Sequence, residues 1–218
     1  MTLDARRELG IGEIVGLLND VAPARVAELS REFPEEQASL RPGQMLGPTA
    51  LPGRWRFLLR VALSGLDEAT SLADRCFALA HLRLRRALQL EFIATTVALV
   101  ASASTVVLVA AHADATKTVV SAIGACIGNL LLAGVTMQRN GLGGKDSVSA
   151  VHARLAALLP ELTFLKGRLA SYRSETEFDA RMEQELGDLV ARAEQLCKEV
   201  RVRCADVPGS VLLPAGSR

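Results

Sequence analysis

Charged and apolar residues are segregated along this chain, and the segregation predicts its elements. Residues 92–111 and 118–138 contain no Asp, Glu, Lys or Arg, and only His112 to Lys117 separate them. Each run matches the ~20 residues a helix needs to cross a ~30 Å hydrocarbon layer. The pair predicts a membrane helical hairpin over residues 92–138. The first run, FIATTVALVASASTVVLVAA, is rich in β-branched residues. Lipid tolerates these in a helix because backbone groups find no other partner there. The alternative is a buried helical hairpin in a soluble protein, although two adjacent uncharged runs of this length are uncommon in such domains.

The flanks carry amphipathic patterns. Ile11, Ile14, Val15, Leu17 and Leu18, then Val21, Val26 and Leu29, predict short helices interrupted at Pro23 and Pro34. Pro and Gly punctuate residues 34–53, which predicts a connector. Residues 1–51 therefore read as short helices and a linker, with no recognisable chemistry. In residues 52–91 a helix is predicted from about Arg54 to Ser64, with Trp55, Phe57, Leu58, Val61 and Leu63 among Arg54, Arg56 and Arg60. It suits either the lipid headgroup layer, tryptophan at the interface, or ordinary packing against the rest of a domain. Residues 67–90 predict a stronger helix, and no Pro or Gly separates them from residue 92, so one long helix into the membrane is expected.

Beyond Gly141, Gly143 and Gly144, residues 139–205 predict further helices. Val148, Val151, Leu155, Leu158, Leu162, Leu165, Leu169 and Tyr172 alternate three- and four-residue steps, a sustained heptad pattern. Pro160 is expected to kink or divide that helix. Ser174 and Glu177 have capping-box spacing. After them Met182, Leu186, Leu189, Ala193, Leu196 and Val200 continue a heptad-like face. Glu177–Arg181, Asp188–Arg192 and Glu194–Lys198 have the spacing of pairs on a solvated helix face. Residues 206–218, with Pro208, Gly209, Pro214 and Gly216, read as a loose tail. The expected fold class is all-α: an integral membrane hairpin with amphipathic cytoplasmic helices forming a bundle or coiled coil.

Charge adds the orientation. Arg83, Arg85 and Arg86 precede the first run, Arg139 and Lys145 follow the second, and the turn's Asp114 and Lys117 cancel. The excess of positive charge beside the outer ends predicts both termini in the cytoplasm and headgroup contacts at these five residues. The chain's net charge of +1 implies no direct nucleic-acid binding. The N-terminal stretch lacks the cleavage pattern of a secretory signal.

Small residues predict the helix-packing faces. Ala94, Ala98 and Ser102 recur every four positions, and Gly124 and Gly128 form a GxxxG. Such faces serve contacts within one chain or between copies equally well. Ser104, Thr105, Ser121 and Asn129 are candidates for a polar path or for interhelical contacts. With no charged residue inside either run, a proton relay or charge-coupled transporter is not expected. A passive pore suits the sequence better than an ion-selective channel.

Cys76, Cys126, Cys197 and Cys204 have no CxxC spacing and read as reduced structural residues, Cys126 packing as a small hydrophobe. His81, His112 and His152 have no metal-ligand spacing. No catalytic motif is present. GLGGKDS at 141–147 lacks the spacing of a phosphate loop and follows a predicted membrane helix, not a strand. No cofactor, metal or enzymatic activity is expected.

The basic entrance Arg83–Arg86, the two apolar runs and the segment VHARLAALLPELTFLKGRL together resemble the SLATT-type two-membrane-helix proteins of bacteria, over approximately residues 68–172. The resemblance is architectural. It implies an inner-membrane effector of a conflict or antiphage system, which permeabilises the membrane in response to a partner or nucleotide signal. The expected partners are phospholipids, further copies of the chain and a separate cytoplasmic sensor protein, to which residues 1–66 offer a contact or for which they form only a cap. Two alternatives use the same features: a noncatalytic membrane scaffold or assembly factor, and a soluble helical protein that hides its hairpin until activated.

Overall fold

A computed structural model describes residues 10–41, 54–110, 115–139, 148–175 and 179–207. The described residues are helical throughout their regular elements: α1 (Gly12–Val21), α2 (Pro23–Glu32), a 3-10 turn (Pro34–Leu40), α3 (Arg54–Ala110), α4 (Ala115–Arg139), α5 (Val148–Ser171), a short 3-10 turn (Tyr172–Ser174) and α6 (Ala180–Ala205). The chain divides into two compact units, residues 1–77 with 153–218, and residues 78–152.

The first unit is a helical bundle built on heptad faces. In α5, Leu155, Leu158, Leu162, Leu165 and Leu169 are all buried. They recur at the spacing that keeps one stripe of a 3.6-residue helix facing its neighbours. Antiparallel packing of α5 on α6 is marked by Arg154–Glu199 at 3.1 Å and by the ion pair of Glu161 with Arg192. The Tyr172 hydroxyl donates to Glu185 at 2.8 Å. That bond, with a second from Arg181, holds the Glu185 carboxyl below the usual range, and the Tyr172 hydroxyl is raised by the same carboxylate.

Pro160 does not divide α5, which continues from Val148 to Ser171. The ring is exposed, and buried Leu158 and Leu162 clamp the opposite face. Ala156, whose carbonyl loses its amide partner, is exposed as well, so packing outweighs the local cost of proline. The expected capping box also moves. Glu177 lies outside the described residues, and the Ser174 hydroxyl turns back to the Ser171 carbonyl. The cap of α6 is Asp179, whose carboxylate accepts from the Met182 N–H at 2.7 Å.

On α6 the deepest stripe is Leu186, Val190, Ala193, Cys197, Val200 and Cys204, with Leu196 beside it. Met182 and Leu189 are half-buried at its flanks. The buried arc is wider than one heptad seam because α1, α3 and α5 all reach this helix. Charges on α6 also reach neighbouring helices: Arg192 takes Glu161, and Lys198 approaches Glu13 of α1 at 3.8 Å. Arg201 also meets Glu13 and Asp20, at 3.5 and 2.7 Å. These pairs are half-exposed, so each contributes only ~0–1 kcal/mol.

The N-terminal residues are part of this core. Ile11, Ile14, Val15, Leu17 and Leu18 are fully buried. Ile14 sits where a side chain at Gly65 of α3 would collide with it. The amphipathic start of α3 is packed rather than laid on a surface: Phe57, Leu58 and Val61 are fully buried, and the Trp55 indole donates to Glu183 at 2.7 Å. Phe33 meets Phe57 edge-on at 5.4 Å. As expected, no break separates residues 54–90 from residue 92; α3 is one helix to Ala110. Residues 42–53, most of the predicted connector, and 208–218, most of the predicted tail, lie outside the described residues.

Cys76, Cys197 and Cys204 are buried free thiols of this unit. Burial pushes the Cys197 thiol up to about 12. Contact with Cys76, and then burial, raises Cys204 as well. The folded state thus keeps protons that the unfolded chain releases near pH 9. Stability from this source is complete below pH 9 and falls as pH climbs toward 12, by ~1.4 kcal/mol per unit for one such group. Urea midpoints between pH 8 and 10.5 are expected to fall less steeply for Cys197→Ala than for the native chain. Equal slopes would show that this thiol does not govern alkaline unfolding.

Candidate membrane-helix interface

In the second unit, α4 lies antiparallel to the apolar end of α3. Three contacts set the register: Ala98 against Gly128, Ala101 against Gly124, and Thr105 against Ser121. A Cβ at Gly128 would stand 2.9 Å from the N, Cα and Cβ of Ala98, whereas one at Gly124 would stand 3.5 Å from the Ala101 Cβ. The two glycines of the GxxxG are therefore unequal. Gly128 permits direct backbone approach, and Gly124 makes room for an ordinary contact.

Ala94 and Ala98 are buried, Ala98 at this seam against Gly128, whereas Ser102 is exposed. A strict four-residue repeat drifts by ~40° per step around a 3.6-residue helix. By the third position it has left the interface, and Ala101 and Thr105 take the place assigned to Ser102.

The polar candidates separate in the same way. The Ser121 hydroxyl donates to the Ala101 carbonyl, and the Thr105 hydroxyl lies 2.8 Å from both that carbonyl and the Ser121 oxygen. These groups satisfy one another across the seam. Ser104 donates to its own helix at the Val100 carbonyl, and Asn129 is exposed. The four candidates do not line one path within a chain.

The outer surface of this pair is apolar on many sides. Phe92 is 73% exposed, Leu130 72%, and Leu99, Val100, Val106, Val107 and Ile123 are also exposed. An open groove of about 410 Å³ runs beside Val97, Val100, Val120 and Gly124. Helix α3 is long and apolar enough to cross a membrane: its most apolar stretch has a mean hydropathy of 1.8 and is only 11% buried. The comparable apolar stretch described in α4, Val119–Gly134, is shorter.

Arg83, Arg85 and Arg86 are exposed on α3 ahead of the uncharged run. The side chain of Arg139 and the whole of Lys145 lie outside the described residues, as does the Val148 side chain. Val151, the first heptad position with a described side chain, is buried in this unit. Near it the His81 and His152 rings lie 5.7 Å apart. Their separation in sequence hid this contact. Among the described residues no three His, Cys, Asp or Glu side chains gather as a metal site.

No protein-family model, curated protein or solved structure matches the chain.

Proposed function

We propose that this protein is a homo-oligomeric membrane effector, in which α3 and α4 enter the bilayer and the helical bundle controls assembly or opening. One observation carries the proposal: an antiparallel pair with a close-packed small-residue seam turns large apolar side chains outward. In water such a surface invites association, whereas lipid covers it without cost. The architecture that resembles SLATT-type proteins extends the proposal to permeabilisation of a bacterial inner membrane in conflict or antiphage defence. Both termini would lie in the cytoplasm, where Arg83, Arg85, Arg86, Arg139 and Lys145 would meet headgroups. A separate cytoplasmic sensor would supply the signal.

A noncatalytic membrane scaffold is the second proposal. The mutual hydrogen bonding of Thr105, Ser121 and the Ala101 carbonyl favours it, because these groups hold helices together instead of facing a path. Carbonate-resistant membrane fractionation combined with a potential-sensitive dye distinguishes these possibilities. Membrane retention with depolarisation upon activation supports the effector. Retention with an intact potential, even when a co-purifying partner is supplied, supports the scaffold. Recovery as a soluble monomer removes both.

A further inference from the structure

The Asn129 carboxamide is exposed on α4, beside the exposed apolar side chains of Leu130 and Ala133. Among the described residues no hydrogen bond reaches it. It stands twelve residues after Lys117 and ten before Arg139. At ~1.5 Å per helical residue, both charged boundaries are ~15 Å or more away. The side chain is too short to reach either headgroup layer from that depth. Gly124 and Gly128 turn toward α3, and the nearby hydroxyls of Thr105 and Ser121 are already bonded there.

We infer that Asn129 is the self-recognition point of the membrane assembly, pairing with Asn129 of a second copy of this chain. The inference rests on the membrane placement proposed above and names the partner within it. Hydrocarbon offers an amide no hydrogen bond, so an unpaired carboxamide there bears its full desolvation cost. Surrounding helical backbone is already satisfied. A second carboxamide supplies both an N–H donor and a carbonyl acceptor, which makes the side chain complementary to itself. Exposed Ala122, Cys126 and Ala133 stand seven, three and four residues from Asn129. Their small side chains let a second helix come close enough for this short group to reach. The intrachain seam and the proposed contact between copies thus use different faces of α4.

The test uses the full chain in phosphatidylcholine vesicles, with donor and acceptor fluorophores at the N-terminus and association followed by energy transfer on lipid dilution. Flotation with the vesicles after carbonate treatment is measured first. Failure to float overturns the membrane proposal and this inference together. For protein that floats and retains its helical circular dichroism, Asn129→Leu is expected to weaken self-association by about 5- to 30-fold, the factor corresponding to ~1–2 kcal/mol. Asn129→Gln, which keeps both hydrogen-bonding groups, is expected to retain most of the association. Cys126, one turn away, should form an intermolecular disulfide under copper phenanthroline and oxygen in the native chain, and much less in Asn129→Leu. Unchanged energy transfer in Asn129→Leu overturns the inference while leaving membrane placement intact.

Discussion

Gly128→Leu is expected to break the pairing of α3 and α4, while Gly124→Ala leaves it intact. A Cβ at residue 128 meets backbone atoms of Ala98 at 2.9 Å, and backbone cannot rotate away as a side chain can. Overpacking of this kind costs ~1–3 kcal/mol, and the larger leucine places this variant at the upper end. At residue 124 the added methyl makes ordinary contact with Ala101. There the gain in helix propensity, up to ~1 kcal/mol, dominates, so the substitution should be neutral or stabilising. Gly134 has no neighbouring atom within 4 Å of such a Cβ, so Gly134→Ala is the matched control. Denaturant titration of the full chain in detergent, followed by far-ultraviolet circular dichroism, reads these differences. Equal effects at residues 124 and 128 would refute the asymmetric seam.

Leu162→Ala should cost the first unit ~2–5 kcal/mol, against less than ~0.5 kcal/mol for Phe164→Ala. Leu162 is fully buried, and its removal leaves a cavity among packed side chains. Phe164 is larger but 66% exposed, so truncation removes little packing. Trp55 belongs to the same unit and reports on it through fluorescence during urea unfolding. A destabilisation by Phe164→Ala comparable with that of Leu162→Ala would mean that this face of α5 is covered in solution. The contrast tests the direction of the heptad face rather than hydrophobicity alone.

Much of the architecture was legible because helical periodicity depends on short-range spacing. The α5 positions from Val151 to Leu169 are buried where the heptad predicted, and Ala94, Ala98, Gly124 and Gly128 lie at or near the expected seam. Errors arose where local rules competed with packing. Pro160 remains inside α5 because buried leucines outweigh its missing hydrogen bond. Asp179 caps α6 because the chain first completes a 3-10 turn through Ser174. Membrane insertion, orientation and the SLATT resemblance concern lipid, partners and ancestry, which spacing alone does not encode.

The sequence by itself determined that the chain is helical, that heptad faces build its bundle, and that apolar residues concentrate in α3 and α4. Those properties follow from the 3.6-residue period and from the distribution of charge, both local in sequence. Only tertiary structure decided that α1 enters the core, that Trp55 bonds Glu183, and that Gly128 rather than Gly124 makes the closest approach. It also decided that Thr105 and Ser121 meet while Asn129 faces outward. These outcomes depend on the rotation and register of one helix against another, which are set by the simultaneous fit of side chains far apart in the chain.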